Sequence, residues 1–148
     1  MCVKQQHRNS QQRSRPQAAL TEPRSNGRWQ GGQALTVTAL PCSADNVLVL
    51  QLSGDIDLCT VERLREYLDG HLSGAYRGMV LDCAEVSFLA ACGIGLLVEI
   101  VDRARLAQVQ IRLVAQSRAV LRALQVTGVN ELVPRADTVD EAVALCTI

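Results

Sequence analysis

Alternating strand-like and helix-like segments predict an α/β fold, with a mostly parallel sheet of about four to five strands and about four helices. Two near-continuous apolar runs, Val47 to Leu52 and Met79 to Cys83, have the composition that strands buried on both faces require. Between and after them lie segments whose apolar residues recur at helical spacing. Length adds a third observation: 148 residues at 48% hydrophobic content bury one good core, so one domain (34–148) plus a tail (1–33) is the economical division.

Each element has its own signal. Leu35, Val37 and Ala39 alternate with Thr36 and Thr38, the period of a half-buried edge strand, and Pro41 ends it. Val47 to Leu52 then reads as a central strand. From Thr60, the positions Val61, Leu64, Leu68 and Leu72 fall on one helical face, with Glu62, Arg63, Arg65, Glu66 and Asp69 opposite. Thr60 is the expected N-cap, Glu62 suits the first turn, and His71 near the end suits the helix dipole in a surface role. Gly74 and Gly78 flank the turn into the strand at Met79 to Cys83. A further helix is expected from Gly93 to about Leu106, burying Ile94, Leu97, Val98, Val101 and Ala104. Gln110 to Val114 is a short strand. Ser117 is placed to cap a helix with Val120, Leu121 and Leu124 inward, and Gly128 to stop it in the left-handed conformation. Leu132-Val133 is the expected last edge strand, closed by Pro134. Thr138-Val139-Asp140-Glu141 forms a capping box that opens a terminal helix through Val143, Leu145 and Cys146.

The zero net charge averages two unlike parts. Residues 1–33 carry six basic residues against Glu22 alone, a net of +5, while the remainder carries nine basic and fourteen acidic residues, a net of −5. The tail is rich in Gln, Arg and Ser, with Leu20 and Trp29 as its main large apolar residues, and is expected to be disordered. It is either a solvated extension or a segment that contacts an anionic partner or the acidic domain. No apolar stretch follows its charges, so a signal peptide is not expected. The longest apolar run, Val86 to Val98, has 13 residues and is interrupted by Gly93 and Gly95, short of the roughly 20 that a bilayer needs. A soluble, cytoplasmic chain is the expectation. Six cysteines without a C-x-x-C and only two histidines fit neither a disulfide framework nor a zinc site, and most of the thiols are expected in the core. No metal, cofactor or nucleic-acid partner is called for, and a homo-oligomer stays open.

Chemistry in such folds collects at the C-terminal ends of parallel strands, here Gly54 to Thr60 and Ala90 to Gly93. Asp55 and Asp57, two apart, would point the same way in an extended segment, but no base, nucleophile or ligand cluster accompanies them, so helix-start electrostatics or partner contact is the better reading. Asp82 at its strand end reads as a cap or turn former. Gly93-Ile94-Gly95 lacks the third glycine of a dinucleotide loop, which falls on Val98. Cys92 stands where a helix N-terminus presents free N–H groups, a position that favours anions and thiolates.

Ser53-Gly54-Asp55-Ile56-Asp57 followed by Phe88-Leu89-Ala90-Ala91-Cys92-Gly93-Ile94-Gly95 resembles the STAS domain of bacterial anti-sigma factor antagonists. The resemblance covers Leu35 to the C-terminus. That family reads Gly-Glu-Leu-Asp and Phe-Met-Asp-Ser-Ser-Gly-Leu-Gly, and its second Ser is phosphorylated by an anti-sigma factor kinase. Gly54, Asp57, Phe88, Gly93 and Gly95 match; the family's Asp, first Ser and phosphoacceptor Ser fall on Ala90, Ala91 and Cys92. The resemblance implies a non-enzymatic, bacterial regulator of sigma-factor signalling that binds an anti-sigma factor, a kinase-like ATPase domain, through Asp57, Cys59, Thr60, Ala90, Ala91, Cys92, Gly93 and Ile94, without serine phosphorylation. Two alternatives stand beside it: a redox-regulated protein using Cys92 with Cys59 as partner, and a scaffold STAS domain within a signalling complex.

Overall fold

β1 (Thr36–Leu40) runs antiparallel along β2 (Val47–Ile56), and every later strand is parallel to β2. These are β3 (Gly78–Leu89), β4 (Gln110–Val114) and β5 (Arg135–Ala136), giving the order β1-β2-β3-β4-β5. Among the described residues, four helices connect and cover them: α1 (Val61–Gly70), α2 (Ala91–Leu106), α3 (Arg118–Thr127) and α4 (Val139–Cys146). This is a computed structural model, and it describes residues 34–42, 44–72 and 75–147; the tail and Gly74 lie outside them. The α/β fold with a mostly parallel sheet is as the sequence predicts.

Both faces of the sheet are covered, which explains the unbroken apolar run in β2. Leu48, Leu50 and Leu52 enter the main core, whereas Val47 and Val49 enter a smaller one on the other face. Met79, Leu81, Ile111 and Leu113 extend the main core beneath Leu64 and Leu68 of α1, Leu97 and Ile100 of α2, and Val120 and Leu124 of α3. Val80, Val114 and Ala136 pack with Ala142 and Cys146 of α4 on the second face. Local capping agrees with the sequence at two helices. The Ser117 hydroxyl accepts from the Val120 amide (3.4 Å) and donates to the Val86 carbonyl (2.7 Å), tying the start of α3 to β3. Thr138 accepts from the Glu141 amide (3.1 Å), while the Glu141 carboxylate accepts from Asp137, one residue upstream of the expected Thr138 (2.9 Å). Gly128 ends α3 at φ 78°.

Three expectations need correction. The last strand is Arg135–Ala136 and not Leu132-Val133. The Leu132 amide closes a turn onto Val129 (2.9 Å), and the Pro134 carbonyl accepts from Leu113 (2.9 Å), so the proline opens the pairing that it was expected to close. β2 and β3 each run well past their expected ends, and Asp82 lies inside β3, buried, with its carboxylate accepting from the Ala84 amide (3.1 Å). Of the five described thiols, only Cys83 and Cys146 are buried; Cys42 and Cys92 are half-buried and Cys59 is exposed.

The extra length of β3 is accommodated by two register shifts. Between Gln51 and Ser53 its partner advances from Asp82 to Glu85, and between Gly54 and Asp55 from Val86 to Phe88. Each shift adds one residue to β3 and so reverses the parity of the residues beyond it. That is why Cys83, Val86 and Leu89, spaced by three, all enter the main core, leaving Ala84, Glu85, Ser87 and Phe88 outside.

Burial pushes the Cys83 thiol up to about 12 from its ordinary 9.0, and the neighbouring Asp82 adds to the shift; burial also raises Cys146. A folded-state value above the unfolded one means that the contribution is intact below pH 9 and lost as pH rises toward about 12. Residues 34–148 contain no lysine to mask the effect. Stability should therefore fall between those limits, by up to about 1.4 kcal/mol per pH unit from Cys83, and Cys83→Ala should flatten the decline. Parallel declines in urea titrations of parent and variant would contradict this.

Candidate functional site

β2 and β3 end side by side, with Ile56 opposite Leu89, and the loops leaving them form one surface. Gly54 stands at the second register shift with φ 109°, a conformation that side chains disfavour. Beyond Ile56 the chain turns at once. The Asp57 carboxylate accepts from the Cys59 amide (2.9 Å), and the Asp57 carbonyl accepts from Thr60 (3.1 Å) and Val61 (2.8 Å). Thr60 occupies the N-cap position of α1, but its side chain makes no cap bond. Its hydroxyl instead accepts from the Asp57 amide and donates to the Asp55 carbonyl, both at 3.0 Å, stapling the loop to its own strand. Asp55 and Asp57 do not act as a pair. Asp55 is buried within β2, whereas Asp57 lies in the following turn, where the alternation of the strand no longer holds.

The second loop is a single residue. Ala90 is extended, its amide donating to the Ile56 carbonyl (2.9 Å) and its carbonyl accepting from Gly93 (2.9 Å) and Ile94 (3.1 Å). α2 thus begins at Ala91, two residues earlier than expected, and Cys92 is its second residue. Ala90 has no side-chain oxygen to cap the first turn, so the positive end of the helix dipole is left to solvent or to a partner. Gly93 explains how the helix comes so close to the strand ends. A Cβ there would lie 2.6 Å from Ile56 Cγ2 and 2.7 Å from Leu89 Cδ1. Gly95 faces open space.

The structure therefore brings the residues singled out in the sequence onto neighbouring loops, at different depths. Cys59 and Ala91 are exposed, Asp57, Thr60, Ala90 and Cys92 are half-buried, and Gly93 and Ile94 are buried. Ile94 is part of the main core, so it supports the surface from beneath. Two exposed apolar residues stand out on the same end: Leu58, 81% exposed, which the sequence pattern does not single out, and Phe88, 51% exposed, which it names only as the first residue of the second motif. Phe88 lies opposite Asp55 in the sheet, and Leu58 lies at the tip of the Asp57–Thr60 turn. The clue to Leu58 is its place between Asp57 and Cys59 in a turn; Phe88 gives no such clue until the register shifts are known. Among the described residues, no three His, Cys, Asp or Glu side chains are placed to hold a metal ion, and no helix is long and apolar enough to cross a membrane.

The two glycines of α2 should respond in opposite senses. Gly93→Ala should destabilise by about 1–3 kcal/mol, because the clash is with packed side chains beneath the helix. Gly95→Ala should stabilise by up to about 1 kcal/mol, since the new methyl group meets nothing and helix propensity improves. Urea unfolding at neutral pH reads both; a neutral Gly93→Ala would contradict the close approach of α2 to Ile56.

The arrangement has known counterparts. An anti-sigma factor antagonist from Mycobacterium paratuberculosis superposes with a TM-score of 0.67 at 23% identity, over 78% of this chain and 96% of that one. The anti-sigma factor antagonist SpoIIAA in its unphosphorylated form gives a TM-score of 0.62 at 21% identity, over 76% and 97%. SLC26A9 gives 0.61 at 15% identity over 81% of this chain but only 24% of its own, so the same fold also occurs as a small part of a much longer chain. At such identities the likeness is one of fold. The family model of the STAS domain matches residues 43–142, which spans β2 to β5, α1 to α3 and the beginning of α4, and the chain belongs to the STAS domain family.

Proposed function

We propose that this chain is a non-enzymatic cytoplasmic regulator that acts as an anti-sigma factor antagonist. It docks on the kinase-like ATPase domain of an anti-sigma factor through the surface formed by Asp57, Cys59, Thr60, Ala90, Ala91 and Cys92, supported by Gly93 and Ile94, and thereby releases a sigma factor. The observation that carries the reading is the grouping of exposed Leu58 and Phe88 at the end of the sheet where the first turn of α2 lies uncapped. Exposed apolar anchors beside a half-buried, weakly polar helix start suit a protein partner better than a small substrate. On the resemblance to the family motif, the phosphoacceptor position corresponds to Cys92, a thiol, and the neighbouring carboxylate position to Ala90. On this reading the chain stays in its binding-competent state and is controlled by its amount.

A second reading is favoured by one observation. Cys59 is exposed, and the loop that carries it is hydrogen-bonded through Ile56 to the residue before α2, so oxidation at Cys59 and Cys92 would alter the same surface.

Incubation with an anti-sigma factor kinase and ATP should leave the intact mass unchanged. Cys92→Asp should keep the fold, because a helix N-terminus tolerates an anion, yet weaken docking about tenfold or more, while Cys92→Ser should bind as the parent does. Calorimetry with the anti-sigma factor reads these affinities, with and without reductant. Equal binding by Cys92→Asp and parent would remove this surface from the mechanism; a reversible loss under oxidant, absent in Cys92→Ser, would favour thiol control.

A further inference from the structure

The sheet has a second end, away from the proposed docking surface, where Gly78 pairs with Gln110 and β4 begins. Between the last turn of α2, the start of β4 and Pro134 lies a groove of about 730 Å³, within the range of roughly 300–1,000 Å³ common to small-molecule sites. Three arginines on three parts of the chain line it: Arg77 from the residue before β3, Arg105 from α2 and Arg112 from β4. They are three of the nine basic residues in 34–148, a domain of net −5, and none of the described residues lining the groove is acidic. Arg105 forms an exposed pair with Asp102 (3.3 Å), and the Arg112 guanidinium donates to the Ile111 carbonyl (3.2 Å). Among the described residues, neither Arg77 nor Arg112 has a carboxylate within ion-pair reach.

The backbone adds one donor. Gln110 donates to the Arg77 carbonyl (2.8 Å) on the β3 side and Leu113 to the Pro134 carbonyl (2.9 Å) on the outer side, so the alternation of the ladder puts the Ile111 amide on the outer side too. β5 pairs with Leu113 and Val114 and does not extend to Ile111, which lines the groove. The end of α2 works against an anion here, because its dipole is negative. That opposition is weak: the carbonyls of Arg103, Ala104 and Arg105 already accept from Ala107 (3.0 Å), Val109 (2.8 Å) and Gln108 (3.1 Å), and the dipole amounts to about half a charge against three whole ones. We propose that this groove binds a small organic phosphate with at least two negative charges, its phosphate shared among the three guanidinium groups and the Ile111 amide, its organic part lying against Tyr76 and Pro134. A phosphate offers three outward oxygens to donors that arrive from three parts of the chain, where a carboxylate offers two to a single fork. An acidic peptide added as a further strand fits less well. Before β5 begins, the outer edge of β4 presents one amide, and the carbonyl beside it is already used by Arg112. The site is independent of the docking surface and of any anti-sigma factor.

Calorimetric titration of the full-length chain with inorganic pyrophosphate at low ionic strength tests the groove. Arg77→Gln and Arg112→Gln should each weaken binding about tenfold or more, the loss expected for a charge-assisted hydrogen bond. Arg122→Gln, on α3 and outside the groove, removes the same charge and should leave the affinity unchanged. Arg77 is exposed, so Arg77→Gln carries the test alone if Arg112→Gln fails to fold. Absence of binding by the parent would overturn the proposal, as would equal weakening by Arg122→Gln, which would reduce the effect to overall charge. Binding that survives both groove changes would assign it to other basic residues and overturn it too. Tighter binding of citrate or of a tetraglutamate peptide than of pyrophosphate would replace the phosphate by a carboxylate ligand and contradict the proposed class.

Discussion

The parallel pairing of β2 with β3 sets the positions of almost everything else in this domain. It is the longest pairing in the sheet, from Val47 opposite Gly78 to Ile56 opposite Leu89, and it absorbs two extra residues on β3. Without those two shifts, Val86 would alternate away from the main core, and Leu89 would not end level with Ile56. Because it does, the Ala90 amide reaches the Ile56 carbonyl, and Gly93 can settle on both side chains. The start of α2 is thus held by strand ends and not by a capping side chain.

The proposed docking surface is held by bonds that return to the strands beneath it. The 57–60 turn is held by the Asp57 carboxylate and the Thr60 hydroxyl, and each of these bonds returns to the loop or to β2. Ser117 ties α3 to the same end of β3 through the Val86 carbonyl. Away from it, α1 and α2 are joined across their outer sides by Arg65 with Glu99 and Arg103 with Asp69, partly exposed surface pairs of modest value to stability. Sites supported by strands and helix starts keep their geometry better than free loops do, which suits a docking surface that need not rearrange.

Where the code is local, the sequence is readable. The alternation in β1, the apolar run of β2, the Ser117 and Thr138 caps and the Gly128 stop each act within a few residues, and each appears in the fold. The register shifts of β3 are not readable: the first falls at Asp82 to Glu85, past the expected strand end, and the second lies within the apolar run Val86 to Val98, which reads the same whether or not the strand slips parity. β5 is misplaced by the sequence pattern because two residues have no period, and Leu132-Val133 is more apolar than the Arg135–Ala136 that pairs. Leu58 escapes notice, and the exposure of Phe88 is not foreseen, because apolar residues are assigned to the inside by default. The Asp55–Asp57 pairing fails on a backbone detail: the strand stops between them.

The central claim is that the ends of β2 and β3, with the start of α2, form the docking surface for an anti-sigma factor. Hydrogen–deuterium exchange of the full-length chain, alone and with that partner, tests it most directly. The expected result is slowed exchange confined to residues 54–60 and 88–95. Slowing confined to the opposite end of the sheet, around residues 105–112, or none with a partner that binds, would contradict the account.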